Sequence, residues 1–460
     1  MERFKLKPEA GPRPGDGGQI LWGSGAVVAL ILVLQVLPYA AAVTLGVLTL
    51  WACRNTRCAL QACTLSVLLT FGNPGLVGIQ PLVGLLKWVL LFASLGTVLF
   101  GWRHQPGKAP RWLWCFVLFV AVALGLAFAA SDNPTVSVLK LGTFAAGVTV
   151  ALLGVRDRRY PAQYWLSWFA TVGVVVLVLS APLDLLPAGR YLNGTGFQGI
   201  FIHPQSYAVY CIPLTMFLTV TVFAESRKNW FLLAVVPWAW YSIFASGCRT
   251  ALLAAGLSSI ATAASMVAFP RVKRGSRRQG PMLLKICLAG LLASVVLATS
   301  TSTLSSAFAD FIGKGERNGV VGSSRVGQVQ ALVASIEANF LTGVGFGLAA
   351  AGVEQETQVD ELTGLPIGTN TEQGFLPLAV LAQVGIIGAV PLTLFLCVLG
   401  IPVVKQGEAA VVAMFFTALF VNFGEMIFFS TGGLGLHMWL LIGTCLVASA
   451  ANSGRPKRCA

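Results

Sequence analysis

Arg249 stands in Ser246-Gly247-Cys248-Arg249-Thr250, a tight turn between two long apolar runs. A guanidinium at such a boundary either reaches water along its own stem or meets an anion. Its planar fork of donors matches a phosphate or a carboxylate bidentately. Arg325 offers a second guanidinium for the same chemistry. It follows Ser323 and Ser324, which suit a helix N-cap, and precedes Val326, Val329, Leu332, Val333, Ile336 and Phe340 at helical spacing. A helix lying in a membrane interface would hold Arg325 at headgroup depth, where an anionic ligand, a lipid phosphate or Glu337 would each satisfy it.

His203 begins His203-Pro204-Gln205-Ser206-Tyr207, with Pro204 near the start of a helix, where proline is favoured. An imidazole there can serve as a base, as a hydrogen-bond donor, or as a satisfied interfacial group. Arg190 lies in the turn-rich stretch Gly189-Arg190-Tyr191-Leu192-Asn193-Gly194 and is either solvated or a substrate ligand, whereas Lys314 and Arg317 read as solvated. Lys87 and Lys140 fall inside apolar runs, where an ionisable group is costly and functional by default. Asp132 and Glu425, at the ends of runs, are carboxylates that could pair with them. Gly343-Val344-Gly345-Phe346-Gly347 holds two overlapping GxG units, but no strand precedes it and no P-loop lysine follows, so it reads as a flexible turn.

The elements that must position these residues are set by composition. The chain has 460 residues, of which 56% are hydrophobic and 10% charged. Soluble domains carry about 25% charge, so an all-α polytopic membrane protein is expected. A bilayer needs about 20 apolar residues per helix. About 12–14 transmembrane helices follow, over 20–36, 38–53, 58–73, 78–101, 112–130, 135–155, 162–183, 204–223, 230–246, 250–269, 282–300, 374–400, 409–428 and 433–451.

With the N-terminal tail (1–19) inside, Arg54 and Arg57, Arg103, Lys108 and Arg111, Arg156, Arg158 and Arg159, Arg227 and Lys228, Arg271 to Lys285, Lys405 and the tail 452–460 share the cytoplasmic side. The net charge of +14 is then an orientation signal and implies no nucleic acid partner. Trp112, Trp114, Trp165, Trp168 and Trp230 sit beside these loops as expected interfacial anchors. Transmembrane runs fill 20–300 and 374–451; between them, 301–373 forms one large outer loop, acidic near its end. The ten cysteines form no CxxC pair and the acidic stretch lacks EF-hand spacing, so neither a metal nor a cofactor is expected.

Four segments, in this order, resemble the O-antigen ligase and O-antigen polymerase superfamily of bacterial envelope glycan enzymes. They are Gly196 to Tyr207 with its His-Pro-Gln, Ser246 to Thr250 with Arg249, Ser323 to Gly347 with Arg325, and Glu372 to Gly388 ending Gln383-Val384-Gly385-Ile386-Ile387-Gly388. The resemblance covers roughly residues 130 to 450. It implies a metal-independent, inverting glycosyltransferase of the bacterial inner (cytoplasmic) membrane, working at its outer face. The donor would be an undecaprenyl-diphosphate-linked glycan, the acceptor a glycan or lipid-linked sugar hydroxyl, and a chain-length regulator protein a further partner.

The resemblance places the lipid diphosphate on Arg249 and Arg325, the pair already marked as anion binders. In the ligases a histidine commonly precedes the Gly-x-x-Gly span; here the stretch reads Thr369-Asn370-Thr371-Glu372-Gln373-Gly374. Glu372 therefore becomes the candidate base, with His203 as the other, and a polymerase is favoured over a ligase. Arg190, Gln205, Asn370 and Lys140 are the remaining candidate substrate contacts. A flippase of lipid-linked glycan is the rival expectation; it would call for charged residues along a central path and an internal repeat, which the sequence does not display.

Overall fold

The computed structural model describes residues 17–37, 39–77, 82–104, 109–191, 196–224, 230–269, 323–348, 357–359, 366–369 and 374–453. Its helices are α1 (Gly17–Leu34), α2 (Ala40–Ala52), α3 (Thr56–Thr70), α4 (Val83–Arg103), α5 (Arg111–Ala129), α6 (Pro134–Gly154), α7 (Ala162–Ser180), α8 (Pro204–Ala224), α9 (Trp230–Ala245), α10 (Arg249–Ala268), α11 (Ser323–Ala338), α12 (Leu376–Gln406), α13 (Ala409–Phe420) and α14 (Leu434–Ser453). The protein is an all-α multi-pass membrane protein, with one short antiparallel ribbon of β1 (Thr357–Val359) and β2 (Pro366–Thr369). By length and composition α4, α5, α6, α7, α8, α10, α12 and α14 can each cross a membrane, and α1, α2, α9 and α13 are shorter apolar helices.

Thirteen of the expected runs are helices; the other, 282–300, lies outside the described residues. The basic connections converge at one end. Arg57 lies over the Tyr160 ring, Lys405 over Phe269, and Arg111 and Arg156 line a common pocket. The alternate connections converge at the other end, where Gly72 bridges Phe201, Phe197 donates to the Ala245 carbonyl, and the Phe375 and Phe423 rings meet. Sequence alternation and spatial alternation agree.

Burial explains why the helices differ in character. In α3 every residue but Arg57 and Thr70 is buried, so the helix meets protein on all sides and tolerates polar groups that lipid would not. Gln61 donates to Tyr164 Oη and Trp168 donates to Thr64. α10 and α13 are joined by Ser258, which donates to the Ala413 carbonyl and accepts from Thr417, the polar glue typical of membrane helices. Leu50, Phe100, Trp114, Phe128, Val267 and Val390 remain exposed, as residues facing lipid tails should. Three expected anchors, Trp112, Trp165 and Trp168, are instead buried in the bundle, and Trp168 donates to Thr64 of α3.

Two helices depart from the expected runs. The run 409–428 stops being α-helical at Phe420, because buried Asn422 accepts from the amides of Ile427 and Phe428 while donating to the Ala418 carbonyl. One side chain there replaces ladder bonds and turns the chain. α12 is broken at Gly385, whose φ of 56° and ψ of −170° lie outside the helical region and are open to glycine.

Candidate functional site

At the end opposite the basic connections, three loops frame an open cleft of about 1080 Å³. Asn73 holds the frame together. Its buried amide donates to the carbonyls of Ala188 and Gly199, both at 2.7 Å, and accepts from the Gly75 amide at 2.8 Å. Sequence reasoning passed over Asn73; the signal was the turn Asn73-Pro74-Gly75 between two apolar runs, with a side chain able to serve three backbone partners.

Of the expected site residues, Arg190, His203 and Gln205 line this cleft together, with Gln198 and Glu425. His203 Nδ1 accepts from the Gln205 amide at 3.2 Å. In the neutral ring the proton therefore sits on Nε2, and the ring presents a donor rather than a lone pair. Tyr191 packs edge-on against the imidazole at 4.7 Å. Arg190 is held by Asp184 at 2.6 Å, and the other Asp184 oxygen accepts from Tyr241 at 3.0 Å. That pair commits much of the Arg190 fork to the fold. Gln198 is 4% exposed; its Nε2 reaches the Ala188 carbonyl, while Oε1 is buried with no partner among the described residues. An acceptor in that state favours a ligand that brings a hydroxyl or amide donor.

Arg249 opens α10 beside the cleft and is half-buried. The next residue, Thr250, packs so closely on Gly424 that a Cβ there would lie 2.3 Å from its Oγ1, and Glu425 lines the cleft. Arg249 is thus separated from the cleft wall by one residue on each of two touching segments. On the far side of the same loop, Met426 packs against α11 and α12.

α11 spans the stretch expected for the interfacial helix, but its contacts correct the picture. Leu332 and Ser335 are buried, and Leu332 lies against Ala379 and Ala382 of α12, so one strip of the helix docks on protein. Val329 and Val333 stay exposed on another strip, the one left for lipid. Arg325 stands in the first turn of α11. Glu372 and Asn370 lie outside the described residues.

The Gly343–Gly347 stretch is not a flexible turn. Val344 and Phe346 are buried, and the segment plugs the break in α12. The amides of Val344 and Gly345 donate to the carbonyls of Ala382 and Gln383, both at 2.9 Å, while the amides of Ile386 and Ile387 donate back to Phe340 and Leu341. Gln383 Oε1 accepts from the Gly347 amide at 2.8 Å, and Lys140 Nζ donates to the Gly347 carbonyl at 2.5 Å. Phe346 enters an aromatic cluster with Phe119, Phe144 and Phe429. Lys140 thereby anchors the plug, and Lys87 lies over the Trp88 ring at 5.2 Å.

No protein-family model matches this chain, and no curated protein matches it.

Proposed function

We propose that the protein is an inverting membrane glycosyltransferase, which polymerises undecaprenyl-diphosphate-linked oligosaccharide units at the outer face of the cytoplasmic membrane, or ligates them to an acceptor glycan. In this reading the basic end faces the cytoplasm and the cleft end faces outward. The observation that carries it is the grouping at the cleft end: a preformed cleft whose largely apolar wall carries Arg190, His203, Gln205 and Glu425, with Arg249 at a helix start beside it.

The chemistry assigns the groups as follows. An acceptor hydroxyl oxygen attacks the anomeric carbon of the donor; that C–O bond forms as the bond from the same carbon to the phosphate oxygen breaks. The leaving diphosphate gains negative charge, and preorganised guanidinium groups of Arg249 and Arg325 favour that state over the ground state. A carboxylate, Glu372 or Glu425, takes the hydroxyl proton. His203, a donor through Nε2, orients a phosphate or sugar oxygen, and Gln198 accepts from a sugar hydroxyl.

The test is complementation of a strain lacking its own polymer, with Arg249→Ala, Arg325→Ala, Glu372→Gln and Glu425→Gln compared at matched membrane abundance. Loss of long-chain polysaccharide in both arginine variants is expected. Normal polymer from both would sink the mechanism. For orientation, a reporter fused after Gly345 should read extracytoplasmic and one fused after Arg158 cytoplasmic; the reverse pattern removes the cleft from the outer face.

A further inference from the structure

A second pocket lies at the basic end, far from the cleft. Leu434 of α14 lines the cleft, whereas Leu446, Val447 and Ala450 of the same helix line this pocket, more than three helical turns further on. Its volume is about 540 Å³.

Three residues with donor side chains line it. Arg111 and Arg156 line one side. Neither guanidinium has a hydrogen bond or ion pair among the described residues. The carboxylate nearest in sequence, Asp157, is turned away and grips Arg159 through both oxygens, at 2.6 to 3.1 Å. Trp112 is 4% exposed and lines the same pocket, and its Nε1 is buried with no partner among the described residues. An indole N–H is a donor only, so the polar side chains that line this pocket carry donors and no acceptor. Burial, and then the charge of Arg158, push the Arg156 pKa down, as befits a cation with too little compensation. α5 also starts here, at Pro110, with no side-chain cap on its amides, and the positive end of its dipole favours an anion.

The remaining wall is apolar. Val398, Ile401 and Pro402 come from α12, and Leu446 and Val447 from α14. Ile401 and Ala450 are exposed on the bundle surface, so the pocket opens sideways to where lipid tails run. A cationic head joined to an apolar side opening fits an amphiphile with an anionic head, not a soluble anion.

We propose that this pocket binds the phosphodiester headgroup of an anionic membrane phospholipid, with Arg111, Arg156 and the Trp112 indole as its donors and the α12–α14 groove along its acyl chain. The site is independent of the glycan chemistry at the other end.

The test is native mass spectrometry of the full chain, titrated separately with dioleoylphosphatidylglycerol, dioleoylphosphatidylcholine and inorganic phosphate. Phosphatidylglycerol is expected to bind selectively, with affinity falling about fivefold for Arg111→Gln or Arg156→Gln and further for the pair. Trp112→Phe, which keeps the packing and removes the N–H, should also weaken it. If the double variant does not fold, the Trp112 variant and the lipid comparison on the unaltered chain still decide. Equal binding of phosphatidylcholine, undiminished binding by the variants, or phosphate binding that displaces the lipid would each overturn the proposal.

Discussion

Lys140 and Gly347 meet across the break in α12: the lysine ammonium donates to the glycine carbonyl, and a Cβ on Gly347 would fall 2.4 Å from the lysine Cδ. Gly347 also has a φ of +75°, so Gly347→Ala meets both backbone strain and a clash. Strain of this kind is of order 1–3 kcal/mol. Thermal melting in detergent should show a clear drop for Gly347→Ala. Gly256→Ala in α10, where a Cβ finds nothing within 4 Å, should leave melting unchanged or raise it. Equal melting of the two variants would argue against a docked plug.

Asn73→Ala removes three hydrogen bonds and leaves the carbonyls of Ala188 and Gly199 without that donor. Each unsatisfied buried group costs about 1–3 kcal/mol. The loss should appear locally, as faster hydrogen exchange at Ile202, whose amide donates to the Phe71 carbonyl across the same junction. Unaltered exchange there would mean that other contacts hold the frame.

For His203 the hydrogen bond at Nδ1 predicts a donor role. His203→Gln keeps a side-chain N–H and should retain much of the polymer-forming activity, while His203→Phe should lose it. A general base contributes about 10²–10⁴-fold, so an equally deep loss in both variants would return the base assignment to His203.

Arg190 is paired with Asp184 and only partly exposed. Exposed pairs contribute about 0–1 kcal/mol. Asp184→Asn, Arg190→Gln and the double variant should therefore shift melting slightly and by similar amounts, with little change in polymer. Loss of polymer in Arg190→Gln alone would make Arg190 a substrate ligand.

The bundle was legible because each apolar run is long and local: periodicity and charge alternation mark α1 to α10 and α12 to α14 without any knowledge of partners. α11 was legible as a helix, but not its docking, since Leu332 and Val333 look alike until α12 is in place. The break at Gly385 lies in an uninterrupted apolar run and leaves no mark on composition. The plug was misread for the same reason, because its partners, Ala382 to Ile387 and Lys140, are remote in sequence. Arg190 and His203 share one loop, and Gln205 stands in the first turn of the helix that follows it; Asn73 and Glu425 reach the cleft from other loops, and only the third dimension unites them.

The plug also bears on biogenesis. Residues 340–347 precede α12 in the chain and so leave the ribosome before it. A helix interrupted at Gly385 would carry bare amides and carbonyls into hydrocarbon, at several kcal/mol per group. Here the segment that satisfies them is already made when the second half of α12 emerges, and it can dock as insertion proceeds. Moving the plug downstream of α12, by circular permutation, would leave that helix waiting in the bilayer with its polar groups uncovered.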